Sequence, residues 1–140
     1  MNFYGKGGDY SYLTELVDHY QLYSRVIFRG QVKYIDDIWK GNHILLLPSI
    51  AEGTHLSLIE AMVCGRPSLL TDVGGNSDLV EDGINDCIIP SSNVNQCDLI
   101  IEKAWQNRDK WAGQGIESRN NVFKKIDFNS FKEIYNNAIK

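Results

Sequence analysis

The chain has 140 residues, of which 43% are hydrophobic and 23% are charged, a balance typical of a soluble globular protein. Its net charge of −4 argues against a nucleic-acid-binding surface, because contacts to phosphates require clustered lysine and arginine. The sequence contains no apolar stretch of membrane-spanning length and no signal-peptide pattern. Its three cysteines lack the spacing of a zinc site, which favours small buried thiols in a reducing compartment. These features predict a cytoplasmic protein that does not bind nucleic acid.

Short apolar runs alternate with helical patterns through most of the chain. The runs that predict strands are Phe3–Tyr4, Val26–Phe28, Ile44–Leu47, Ser68–Leu70 and Cys87–Ile89. The segments with helical patterns are Tyr10–Leu22, Tyr34–Trp39, Leu56–Cys64, Ser77–Glu81 and, in the tail, Asn93–Asn107, Asp109–Lys125 and Phe128–Ile139. This alternation predicts an α/β fold with a parallel sheet, helices on both faces, a helical C-terminal tail and a single domain over residues 1–140.

The helix after the third predicted strand carries an unusual carboxylate. From Leu56 to Val63 nearly every residue is apolar, so this helix is expected to be buried on most sides. The polar exceptions nearby are Ser57, Glu60 and Cys64, which the i, i+3, i+7 spacing places on one face. A carboxylate in such a helix is costly unless something pairs with it. Glu60 therefore either forms a structural salt bridge or accepts hydrogen bonds from a ligand's hydroxyl groups.

The loop before this helix begins with Glu52, at the carboxyl end of a strand, where open α/β sheets bind their ligands. Glu52 can act on a ligand there, or it can be a plain charge that the helix dipole favours. Gly53 allows close approach of the backbone, and Thr54 is expected to cap the helix. The amides of Thr54, His55 and Leu56 would then be free to face an anion.

Glycine and proline mark the ends of the neighbouring helices. Gly65 is predicted to end the helix, and Pro67 prevents its continuation. Gly74 and Gly75 predict a turn after the fourth strand, with Asn76 as the cap of the next helix.

These segments together resemble a known family. The E-x7-E pattern from Glu52 to Glu60, followed by the segments Cys64–Pro67 and Asp72–Gly75, resembles the C-terminal domain of a retaining GT-B glycosyltransferase of group 1, family 4. The resemblance extends from about residue 3 to the end of the chain and is carried by the motifs in combination. It implies a Rossmann-like domain, the C-terminal half of a GT-B fold.

The resemblance also implies an activity and a set of site residues. The domain would bind a nucleotide-diphosphate sugar as donor substrate, and the enzyme would transfer the sugar with retention of configuration, without a metal or other cofactor. Glu52 would be the catalytic residue. The donor-binding residues would be Glu60, Gly53, Thr54, His55, Leu56 and Val32, the last through main-chain groups that meet the base.

The chain is also expected to be a partial domain. The family's acceptor-binding N-terminal domain has no counterpart in this sequence, nor do the first strand and helix of the donor domain, which carry an arginine and a lysine that grip the diphosphate. The isolated chain is therefore expected to be inactive. The resemblance implies a role of the full-length protein in polysaccharide or glycoconjugate biosynthesis, and it leaves peripheral association of that protein with a membrane open. Two alternatives remain: a non-catalytic nucleotide-sugar-binding module, and a nucleotide-sugar epimerase of related GT-B architecture.

Overall fold

All strand pairs in the described part of the chain are parallel. The computed structural model describes residues 1–51, 56–81, 83, 87–90 and 93–129. Contacts between residues divide the chain into two units, Met1–Asn42 and His43–Lys140. Each unit has its own hydrogen-bonded parallel sheet, with two strands in the first and three in the second.

The first unit is a βαβα arrangement. Its elements are β1 (Asn2–Tyr4), α1 (Tyr10–His19), β2 (Ile27–Gly30) and α2 (Ile35–Trp39). Strand β1 pairs with β2 in parallel, and the rings of Phe3 and Phe28 lie 5.5 Å apart across the pair. The ring of Tyr10 lies 5.0 Å from that of Phe28, so aromatic contacts attach α1 to the strands. Trp39, at the end of α2, is buried.

The second unit contains the larger sheet. Its elements are β3 (Leu45–Leu47), α3 (Leu56–Val63), β4 (Ser68–Thr71), α4 (Asn76–Leu79), β5 (Cys87–Ile89), α5 (Val94–Gln106) and α6 (Trp111–Lys125). The strand order is β3-β4-β5, and both pairs are parallel. All four residues of β4 are buried, as expected for the central strand of a sheet that is covered on both faces.

Neighbouring leucines of β4 pack into two different cores. Leu70 belongs to a cluster that includes Leu58 and Met62 of α3 and Val122 of α6. Leu69 belongs to a second cluster with Ile89 of β5 and Ala104 of α5. Because successive side chains of a strand point to opposite faces, α3 and α6 cover one face of the sheet and α5 covers the other. The predicted α/β fold class is therefore confirmed.

Several helix ends differ from the predicted ones. Helix α1 ends at His19 rather than Leu22, because Gln21 has a φ of 54°, which a right-handed helix cannot contain. The long helix predicted from Asp109 begins only at Trp111, after a 3₁₀ turn. The last predicted helix lies outside the described residues beyond Asn129. Within the described part of the chain, no helix has both the length and the hydrophobicity that crossing a membrane requires.

Asn76 does not cap α4 as predicted. Gly75 occupies the position before the helix, and Asn76 is its first residue and fully buried. The Asn76 side-chain amide donates to the Thr71 carbonyl over 3.0 Å. A buried amide needs internal partners, and the Thr71 carbonyl supplies one of them.

Helix α3 ends as the sequence predicts, through Gly65. This glycine has a φ of 66°, its N–H donates to the Met62 carbonyl, and the N–H of Arg66 donates to the Ala61 carbonyl, both over 2.9 Å. The two bonds form a Schellman motif. The Gly65 carbonyl in turn lies against Gly115 of α6, where an added Cβ would overlap it. The end of α3 therefore packs directly on the backbone of α6.

Candidate functional site

The carboxyl edge of the three-stranded sheet is the candidate site in the second unit. Because β3, β4 and β5 are parallel, their carboxyl ends lie at the same edge. The described loops at this edge are residues 48–51 after β3 and 72–75 after β4. Open α/β sheets bind ligands at such an edge.

Glu60 lies on the second turn of α3, close to this edge. A helix rises about 1.5 Å per residue, so Glu60 is only about 6 Å along the axis from Leu56, where the helix begins. Its neighbours Leu58, Ala61 and Met62 are fully buried in the core. Glu60 itself is half-buried, as are Ser57 and Cys64 on the same face. The predicted polar face of α3 is therefore present and borders the core.

The Glu60 carboxylate has no partner among the described residues. Among the described residues, neither an ion pair nor a hydrogen bond to the Glu60 side chain is formed. Burial raises the pKa of Glu60 above its ordinary value of 4.5, and no described cation lies near enough to lower it. A structural salt bridge to Glu60 is thus not formed within the described residues.

Glu60→Gln is expected to leave the melting temperature at pH 7 equal to or above that of the parent chain. A folded-state pKa above the unfolded one favours the protonated form, so stability is lost as the pH rises from about 4.5 through the raised pKa. Glutamine has no charge to bury, so the variant does not lose stability as the pH rises. Thermal unfolding across this pH range, followed by circular dichroism, measures the melting temperatures, with Glu117→Gln on the exposed side of α6 as the control. A melting temperature several degrees lower for Glu60→Gln alone would instead indicate a stabilising salt bridge.

The two loops at this edge are joined through Thr71. Thr71 is 2% exposed, and its hydroxyl donates to the carbonyl of Ser49 over 2.5 Å. The amide of Asn76, in turn, donates to the Thr71 carbonyl. Sequence reasoning treated Thr71 only as the residue after a predicted strand, because a hydroxyl at a strand end gives no signal of its partner.

The remaining predicted residues of this segment are only partly described. Glu52, Gly53, Thr54 and His55 lie outside the described residues, so their predicted roles, including Thr54 as helix cap, stay predictions. Leu56 is the first residue of α3, and its side chain is 68% exposed. Its predicted contact is through the main chain, so the exposed side chain does not conflict with it.

Val32 lies in the first unit, two residues after the end of β2. Gly30, the last residue of β2, has a φ of 66°, and its carbonyl accepts from the N–H of Gly5 over 2.8 Å. Val32 is half-buried. Its main-chain N–H and carbonyl have no hydrogen-bond partner in the described ranges, and its predicted contact with the base stays a prediction.

A polar network supports the strands behind this loop. The side chain of Asn42 donates to the Tyr4 hydroxyl and accepts from Asn2, each over 2.8 Å. Asn2 also accepts from the Arg29 guanidinium over 3.0 Å. Sequence reasoning missed this network because its members are separated by up to 40 residues along the chain.

Known proteins resemble this chain in sequence and in fold. A family described as glycosyl transferases group 1 matches residues 1–107. The UDP-N-acetylglucosamine–peptide N-acetylglucosaminyltransferase GtfA subunit of Streptococcus pneumoniae is 34% identical over 66% of the chain. The poly(ribitol-phosphate) alpha-N-acetylglucosaminyltransferase of Staphylococcus aureus is 28% identical over 95% of the chain. The chain spans only 18% and 27% of the lengths of these two relatives.

A solved structure also matches the described architecture. The crystal structure of a mutant of TarM from Staphylococcus aureus, in complex with fondaparinux, alpha-GlcNAc-glycerol and UDP, superimposes with a TM-score of 0.84 at 27% identity. The match covers 97% of this chain and 28% of the TarM chain.

Proposed function

Because the chain belongs to the group 1 glycosyltransferases, we propose that it is the part of a retaining glycosyltransferase that binds a nucleotide-diphosphate sugar. Within that enzyme, Glu52 acts on the donor sugar and Glu60 accepts hydrogen bonds from the ribose. Gly53 lets the backbone approach the donor closely, and the main-chain amides of Thr54, His55 and Leu56 bind its diphosphate. The acceptor is bound by other parts of the enzyme, and no metal is required.

The half-buried carboxylate of Glu60 carries this proposal. It lies on the second turn of α3, close to the carboxyl edge of the sheet, its pKa is raised by burial, and the described residues offer it no cation. A protein keeps such a group at a cost in stability. The hydroxyl groups of a ribose would offset that cost by donating charge-assisted hydrogen bonds to the Glu60 carboxylate.

UDP is the nucleotide whose binding we propose to test first. The name of the Streptococcus pneumoniae relative includes UDP-N-acetylglucosamine, and the TarM structure contains UDP. The main-chain N–H and carbonyl of Val32, unpaired among the described residues, supply a hydrogen-bond donor and an acceptor with which the edge of a uracil ring can pair. Retention and independence from metal rest on the family resemblance and belong to the same proposal.

The chain alone is expected to bind UDP weakly and to transfer no sugar. A titration of the ¹⁵N-labelled chain with UDP, followed by amide chemical shifts, tests this. We expect saturable shifts at Leu56, Glu60 and Val32, with EDTA leaving the affinity unchanged. Uridine, which has no phosphates, is expected to bind more weakly than UDP because it makes no contact with the helix amides.

Two variants test the role of Glu60 in UDP binding, and two outcomes would contradict the proposed function. Glu60→Gln should weaken UDP binding, whereas Glu117→Gln should leave it unchanged. Absence of saturable shifts with UDP and with the other nucleoside diphosphates would contradict donor binding by this chain. Sugar transfer by the chain alone would contradict the expectation that it is only the donor-binding part.

A further inference from the structure

A side-chain hydrogen bond extends the contact between β3 and β4 beyond their backbone pairing. The last paired residues are Leu47 and Leu70. The chain after β3 stays attached to β4 for two more residues, as far as Ser49. The Thr71 hydroxyl donates to the Ser49 carbonyl over 2.5 Å and lies 3.5 Å from the Leu47 carbonyl. A side chain thus holds the start of the loop after β3 against the end of β4.

Thr71 is itself held from the other side. Its carbonyl accepts from the N–H of Val73 over 2.9 Å and from the amide of Asn76, which is fully buried, over 3.0 Å. A residue that is 2% exposed and bonded at both its hydroxyl and its carbonyl has little freedom to change rotamer.

The support extends to α6. The side chain of Asn121 donates to the Leu79 carbonyl, and the ammonium group of Lys125 donates to the Asp78 carbonyl, both over 2.7 Å. These two bonds satisfy carbonyls at the end of the short helix α4. A continuous series of hydrogen bonds and short chain segments therefore leads from α6 through α4 and Thr71 to Ser49.

We propose that Thr71 is a positioning residue that fixes the peptide of Ser49 and with it the start of the loop of residues 49–51. Ser49 precedes Glu52 by three residues, so the orientation of its peptide sets where the following loop begins. The expected effect of Thr71 on UDP binding rests on the proposed donor-binding function. Its structural premise, the bond from Thr71 to Ser49, is independent of any ligand.

Three substitutions at Thr71 separate the hydroxyl from the methyl group. Thr71→Val keeps the shape and removes the donor, Thr71→Ser keeps the donor, and Thr71→Ala differs from Thr71→Ser only by the hydroxyl. We expect Thr71→Val to shift the amide signals of Ala51 and Glu52 and to weaken UDP binding about fivefold to tenfold, the value of one hydrogen bond. Thr71→Ser should leave both within about twofold of the parent chain.

Thr14→Val is the control, because it removes a threonine hydroxyl that donates to the Tyr10 carbonyl within α1. Thr14→Val should change neither the amide signals of Ala51 and Glu52 nor the affinity for UDP. If Thr71→Val does not fold, Thr71→Ala is compared with Thr71→Ser in its place. Shifts confined to Ser49 and Ile50 with unchanged affinity, or equal losses in Thr71→Ser and Thr71→Val, would overturn the inference. If the parent chain binds no UDP, the proposed function fails, while the signals of Ala51 and Glu52 still decide whether Thr71 directs the loop.

Discussion

Glu52→Gln is expected to lower turnover more than donor affinity in an enzyme that contains this chain. In the proposed site Glu52 faces the donor sugar, where its charge stabilises the positive charge that develops at the anomeric carbon as the bond to the diphosphate breaks. That interaction is stronger in the transition state than in the ground state, so its loss reduces kcat. One charge-assisted hydrogen bond is worth about 1.5–3 kcal/mol, which corresponds to a loss of tenfold or more.

Glu60→Gln should fail differently in the same enzyme. Its proposed contact with the ribose is equally strong in the ground state and the transition state, so its loss raises KM for the donor and leaves kcat nearly unchanged. Steady-state kinetics on both variants, with circular dichroism to confirm folding, distinguishes the two roles. If neither substitution changed kcat or KM, the assignment of Glu52 and Glu60 to the donor site would be wrong.

Gly115→Ala is expected to reduce the free energy of unfolding by about 2–3 kcal/mol. A Cβ at this position would overlap the carbonyl oxygen of Gly65 and lie 2.7 Å from its carbonyl carbon. Gly65 cannot move away easily, because its φ of 66° belongs to the motif that ends α3. Helices α3 and α6 must therefore separate, and the core that they share around Met62 and Val122 opens.

Gly113→Ala is the matched control for this effect. It makes the same change two residues earlier in α6, where an added Cβ meets no atom within 4 Å. Alanine favours a helix over glycine by about 1 kcal/mol, so this variant should be as stable as the parent chain or more stable. Denaturant unfolding of both variants measures the difference. Equal stability of the two variants would mean that α3 and α6 are not in direct backbone contact.

Local patterns were sufficient to predict the fold class and most of its elements. The apolar runs that predict strands overlap all five strands of the described chain, because a short buried strand must be apolar on both faces. Gly65 predicts the end of α3 because a left-handed residue is needed there. The spacing of Ser57, Glu60 and Cys64 predicts a shared face because helical geometry is fixed. The motifs around Glu52 and Glu60 also indicate the family to which the chain belongs.

Partners that are distant in the sequence were decided only by the tertiary structure. Whether a described cation neutralises Glu60 depends on which helices and loops meet, and helical spacing contains no such information. The bond from Thr71 to Ser49 joins residues 22 positions apart, and the contact of Gly115 with Gly65 joins two helices. Asn76 looked like a helix cap because local rules favour asparagine there, but burial turned its amide toward the Thr71 carbonyl. Periodicity and turn chemistry act over a few residues, whereas these contacts exist only after the sheet and its covering helices have packed together.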